Sequence, residues 1–193
     1  MAYTLACAIP ERIAEIASVS GGMPLDDRKA AMRCSDNKLA KPISVMEMHG
    51  TADTFIPYQG GGGLNAPPVL DLVKYWAALD GCIGDPSVNQ TGITKTTLWT
   101  HCSGTSVVKL DTVTGGHNTW FGSSLDPVPG EPKASAAVWD FFNSLAKSHR
   151  EYFIKWINEA KTAETRAKRI VNTVNAMLRK WRFNVMLREM KNS

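Results

Sequence analysis

The 193-residue sequence predicts an α/β protein, a β-sheet with helices on its faces, followed by a small all-helical tail. Short apolar runs bounded by turn residues alternate with helix-periodic segments in the order helix, strand, strand, helix, strand, strand, helix. Charge divides the chain: residues 1–147 carry a net −3 and residues 148–193 a net +7. The 4 cysteines, Cys7, Cys34, Cys82 and Cys102, all fall in the first part. These observations predict two domains, 1–147 and 148–193.

Each element has a local reason. Met1 to Ile9 is apolar and stops before Pro10, which reads as a helix ended by proline. Ile13 to Ser20 is a short apolar run closed by Gly21-Gly22 and reads as a buried strand. Pro24 to Pro42 is polar and reads as a loop with a helical turn. Ile43 to Met48 reads as a second strand, closed by His49-Gly50. A Gly- and Pro-rich loop follows to Pro68. Val69 to Leu79 places apolar residues at 69, 70, 72, 73, 76, 77 and 79, the spacing of a helix packed on a sheet. Thr91 to His101 and Ser106 to Val113 read as strands, the latter feeding a Gly115-Gly116-His117 turn. Ala134 to Leu145 reads as a helix.

The composition, with 44% apolar and 21% charged residues, is that of a globular chain. It has no apolar run long enough for a membrane-spanning helix and no collagen period. Met1 to Ile9 lacks the basic start of a signal peptide. No C-x-x-C pair occurs, so a zinc site is not expected; no other metal and no cofactor is expected either. Four cysteines permit three pairings, and buried thiols are the alternative to disulfides. Disulfides would imply export from a reducing cytosol, yet the compartment stays open at this level.

In an α/β sheet, ligands bind beyond the carboxyl ends of the strands. Asp53 follows the Ile43–Met48 strand and His117 follows the Ser106–Val113 strand. Acid before histidine is the chain order of an α/β-hydrolase triad, in which histidine moves the proton and the acid fixes its tautomer. Both residues also have plain readings. Asp53 suits a turn that bonds its own backbone, and His117 suits a surface turn beside two glycines. His49 and His101 read as structural. Asp111 is a rival acid, but it lies within a strand. Gly60 to Gly63 lacks the Lys-Ser/Thr of a P-loop and reads as a rim loop. Trp99, Trp120 and Phe121 are candidates to line a substrate surface, with core packing the alternative for Trp99.

Several separated segments carry a resemblance. MAYTLACAIPERIAEIASVSGGMP resembles the stretch directly after the nucleophile in polyhydroxybutyrate depolymerase-like and feruloyl-esterase-like α/β-hydrolases. HGTADTFIPYQGGGG resembles that family's acid loop. DGC, LWTHC and TGGHNTWFG resemble its cysteine-bearing region and histidine loop, and VWDFF its final helix. The likeness covers residues 1–146. It implies the second half of an α/β-hydrolase sheet, a carboxylic ester substrate, Asp53 as triad acid, His117 as triad base and a Cys82–Cys102 disulfide. Trp120 becomes the substrate-rim candidate.

The sequence departs from that pattern at its most reactive point. No G-x-S-x-G occurs, and Met1 aligns five positions after the expected serine. Ser18 and Ser20 belong to a strand end and do not build a strand-turn-helix elbow. The histidine loop also lacks the family's proline after tryptophan. The expectation is a triad half, inactive alone, its nucleophile either supplied by an upstream complementing segment or lost, and its fold either dependent on that segment or marginal. The Ile13–Ser20 strand is then left at an open edge.

From Ser148 the texture turns basic. Glu151 to Ala160 and Ala163 to Trp181 read as helices, with Thr162 capping the second and Glu164 in its first turn. The stretch SHREYFIKWINEAKTAETRAKRIVNTVNAML resembles the C-terminal helical segment of the YdeI/OmpD-associated family, which implies a fold piece rather than a reaction. The rival function is a non-catalytic interaction protein acting through this amphipathic tail. Packing on a partner surface is its plain role, with nucleic acid or an anionic membrane as sharper options.

Overall fold

The computed structural model describes residues 2–23, 34, 39, 41–144 and 157–169. Packing divides the chain into two units, Met1–Leu145 and Ala146–Ser193, each taken by itself. The first unit is of the α/β class, with a five-stranded mixed sheet. Its elements are α1 (Ala2–Ala8), a 3-10 turn (Pro10–Arg12), β1 (Glu15–Val19), β2 (Ser44–Gly50), α2 (Val69–Leu79), β3 (Ser87–Thr91), β4 (Thr94–Trp99), β5 (Val108–Val113) and α3 (Ala134–Ser144).

Strand order is β1-β2-β5-β4-β3. The pairs β1–β2 and β2–β5 are parallel, with Glu15 opposite Ser44 and Val45 opposite Val108. The pairs β5–β4 and β4–β3 are antiparallel. Every residue of β2 is buried, as a strand covered on both faces requires. Alternation sorts its side chains. Val45 packs in the core with Tyr3 and Ala6 of α1 and Leu72, Val73 and Trp76 of α2. Met46 and Met48 join Val113, Phe121, Ala134 and Phe141 in a second core, to which α3 contributes.

The strand expected at Thr91 to His101 corresponds to β4, which is shorter, and β3 ahead of it is an addition to the expected elements. The two form a hairpin around the two-residue loop Gly92-Ile93, with Thr91 opposite Thr94. All five residues of β3 are exposed, so it lacks the apolar alternation from which strands are read. The strand after His49 also runs on through Gly50.

Helix α2 ends in a way that fixes a disulfide. The Cys82 amide donates to Ala77 C=O at 2.9 Å and the Gly81 amide to Ala78 C=O at 3.1 Å, the two bonds of a Schellman cap. Gly81 takes φ +62°, which only glycine adopts freely. The chain then turns so that Cys82 bonds Cys102 just past β4. Cys7 and Cys34 form the second disulfide, so all four cysteines are paired.

The predicted loop at 24–42 lies outside the described residues except at 34, 39, 41 and 42. In the second unit, residues 163–169 are helical. Thr162 Oγ1 accepts the Thr165 amide at 3.1 Å, the capping bond expected there, and Lys168 pairs with Glu164 at 2.8 Å. Most of Glu151 to Ala160 and the rest of Ala163 to Trp181 lie outside the described residues.

Candidate active site

Parallel pairing of β2 and β5 brings two loops together at one end of the sheet. The Thr51 amide donates to Val113 C=O at 3.0 Å and the Ala52 amide to Gly116 C=O at 2.9 Å. In return the Gly115 amide donates to Thr51 Oγ1 at 2.8 Å. Contact is close enough to exclude a side chain: a Cβ on Gly50 would lie 2.0 Å from the Gly116 oxygen. Asp53 and His117 therefore each stand one residue beyond a shared backbone bond.

Their side chains have separate partners. Asp53 is buried, and its Oδ1 accepts the amides of Phe55 and Ile56, both at 2.8 Å. That is the self-bonded turn of the plain reading. Its Oδ2 lies 3.3 Å from His49 Nε2 and is otherwise without a hydrogen-bond partner. His117 is half-exposed, and its Nδ1 bonds Asp126 Oδ2. The Ser20 hydroxyl donates to the His117 carbonyl at 3.4 Å, bringing the end of β1 to the same place. Ser20 has φ +52°, uncommon for a residue with a side chain.

Beneath this pair of loops runs a buried polar chain. Glu47 is fully buried on the face of β2 that also holds Val45 and His49. Its Oε2 accepts the Tyr3 hydroxyl at 2.5 Å. Its Oε1 faces His49 Nδ1 at 2.8 Å and the Gly21 amide at 3.2 Å. His49 Nε2 reaches Ile56 C=O at 2.9 Å. Both ring nitrogens of His49 thus face acceptors, an arrangement only the doubly protonated ring satisfies. Burial favours neutral His49, but the bond and charge of Glu47, the Ile56 carbonyl and the Asp53 charge outweigh it and hold its pKa above the usual histidine value. Burial, with Glu47 beside it, raises the Tyr3 pKa well above the usual phenol value and outweighs a lowering bond to Ser18.

The remaining candidates sort by burial. Trp120 is exposed, its Nε1 donating to Ser135 Oγ at 3.0 Å. Trp99 and Phe121 lie in the two cores instead of lining a surface. The rival acid Asp111 stays inside the sheet, accepting Thr96 Oγ1 at 2.6 Å and pairing with Lys109 at 2.7 Å. His101 is exposed. Among the described residues, no group of three or more His, Cys, Asp or Glu side chains is placed to hold a metal ion.

Sequence reading missed Glu47, Tyr3 and Asp126. A charged residue in the buried run ISVMEM was a usable signal, because two positions on, and therefore on the same face, stands His49. Asp126 gave only the turn signal of Asp-Pro, which says nothing about facing a residue nine positions earlier.

Comparison with known proteins finds a distant esterase-like relationship. The chain is similar to feruloyl esterase B of Piromyces equi, 26% identical over 112 residues, which is 54% of this chain and 21% of that protein. It is also similar to the probable feruloyl esterases C of Aspergillus flavus and Aspergillus oryzae, each 27% identical over 149 residues, 74% of this chain and 45% of the relative. The chain thus spans less than half the length of these relatives. A family model described as OmdA, bacteriocin-protection, YdeI or OmpD-associated, matches residues 133–180. That match begins just ahead of α3, within the first unit, and not at 148.

Proposed function

We propose that the first unit is the acid-and-histidine part of a serine carboxylic ester hydrolase of the polyhydroxybutyrate depolymerase and feruloyl esterase type. Its attacking hydroxyl is supplied by a segment outside these 193 residues, and the chain alone turns over no ester. The observation that carries this reading is the Ala52–Gly116 backbone bond, which brings the loops of Asp53 and His117 to one end of a parallel strand pair. Similarity to feruloyl esterases supports the ester substrate. His117 Nε2 takes the proton from the attacking hydroxyl and returns it to the leaving alkoxide. Asp53 occupies the position of the family's acid, with its side chain tied to its own loop, and Trp120 stands at the substrate rim. Turnover of p-nitrophenyl butyrate is measured for this chain and for a form extended upstream through a G-x-S-x-G segment. Activity is expected only in the extended form, and His117→Ala abolishes it. A folded but inactive extended form overturns the reading.

The OmdA match and the +7 tail support a second reading, a non-catalytic interaction protein. It expects salt-dependent binding of the full chain to DNA or to anionic vesicles. Absence of binding to either at low ionic strength rejects it.

A further inference from the structure

We infer that Asp126, rather than Asp53, is the positioning residue that fixes the tautomer of His117 in this chain. The pairing itself is independent of any activity; its catalytic consequence rests on the esterase reading.

The carboxylate of Asp126 accepts from His117 Nδ1, so the proton sits on Nδ1 and the Nε2 lone pair is left for chemistry. Asp53 is committed elsewhere, with one oxygen tied to two amides of its own loop and the other beside His49. Asp126 is also held in place. Glu131 closes the segment around it, its Oε1 accepting the Gly122 amide at 2.7 Å and its Oε2 the Val128 amide at 3.2 Å. The Glu131 amide donates back to Val128 C=O at 3.0 Å. Buried Phe121 anchors the same segment, its carbonyl accepting the Ala134 amide at 2.9 Å. Within this frame Asp126 takes φ +49°, a left-handed conformation that aspartate tolerates better than most residues but still at a cost. From the other side, Ala52 and Ser20 fix the Gly116 and His117 backbone. The ring is thus oriented from two sides by hydrogen-bonded loops.

The test is the tautomer of His117 in the full chain, read from two-bond proton–nitrogen correlations with labelled histidine at about pH 9, above the ordinary histidine range. The His117 signals are assigned by their loss in His117→Gln. The expected result is Nδ1–H in the unaltered chain. Asp126→Gly, which accepts the positive φ, converts it to the Nε2–H form, and Asp126→Glu restores Nδ1–H. Asp53→Asn leaves it unchanged. An Nε2–H form in the unaltered chain overturns the proposal without any variant. So does an Asp126→Gly chain that keeps Nδ1–H, or an Asp53→Asn chain that loses it. None of these outcomes depends on ester turnover in the extended form, so the two readings fail separately.

Discussion

A carboxylate and an imidazole with no solvent access set the terms at the scale of single residues. Glu47 is acceptable in the middle of β2 because Tyr3, Gly21 and His49 give it hydrogen bonds and a counter-charge. The net worth of such a pair against an apolar core is small, but breaking it strands a buried charge. His49→Leu is therefore expected to destabilise the fold by about 3–5 kcal/mol. Tyr3→Phe leaves the ion pair intact and removes one bond to a charged acceptor, for about 1.5–3 kcal/mol. Urea unfolding of both variants checks the order, and a larger loss in Tyr3→Phe contradicts the charge assignment. Chemistry legible in one residue type was read more easily than chemistry made by partnership. Asp53 and His117 stand in loops whose neighbours advertise a turn. Asp126 acquires its role only from the folded position of a residue nine places away.

Elements transmit that geometry through two joints, one a close backbone contact and one covalent. The first is the approach of Gly50 at the end of β2 to Gly116, where an added methyl meets a backbone oxygen that has no room to retreat. Gly50→Ala is expected to cost about 1–3 kcal/mol as overpacking and to separate the Asp53 and His117 loops. Loss of protection at the Ala52 and Gly115 amides in hydrogen exchange reports the separation, whereas unchanged exchange there refutes it. The second joint is Cys82–Cys102, which closes a separation of 20 residues from the cap of α2 to the end of β4. Replacing both cysteines by serine is expected to lower stability by about 3 kcal/mol. A thermal midpoint equal to that of the parent argues that the Schellman cap alone holds the turn. Helix α2 was readable because its apolar stripe buries Val69, Leu72, Val73, Trp76 and Ala77 on one side. Strand β3 was not, because its ladder to β4 is made by backbone while every side chain meets solvent. A pattern method sees burial, and β3 has none to show.

For the first unit as a whole, two buried groups, Asp80 and His49, drive folding stability in the same direction with pH. Asp80 caps α2, and its Oδ1 accepts the Ile43 amide at 2.9 Å ahead of β2, so it ties a helix end to the central strand. Its Oδ2 is buried without a hydrogen-bond partner. Burial raises its pKa from 3.8 to about 7, against a lowering contribution from the Ile43 bond. Across that window the folded chain holds a proton that the unfolded chain has released, so stability falls as pH rises. His49 continues the trend: its contribution is complete below 6.5 and is lost as pH rises through its raised folded pKa. Asp80→Asn separates the two. The amide oxygen still serves the Ile43 amide, no charge is buried at any pH, and an unpartnered Nδ2 adds a penalty that does not vary with pH. The difference in unfolding free energy between Asp80→Asn and the parent should therefore shift in the variant's favour between pH 3.8 and about 7, then level off. The full change is on the order of 4 kcal/mol, at about 1.4 kcal/mol per pH unit. The decline that both proteins share above 6.5 belongs to His49. Parallel stability curves for variant and parent from pH 4 to 8 would show that Asp80 ionises in the folded protein as it does in the unfolded chain, and that burial at the end of α2 leaves its carboxylate solvated.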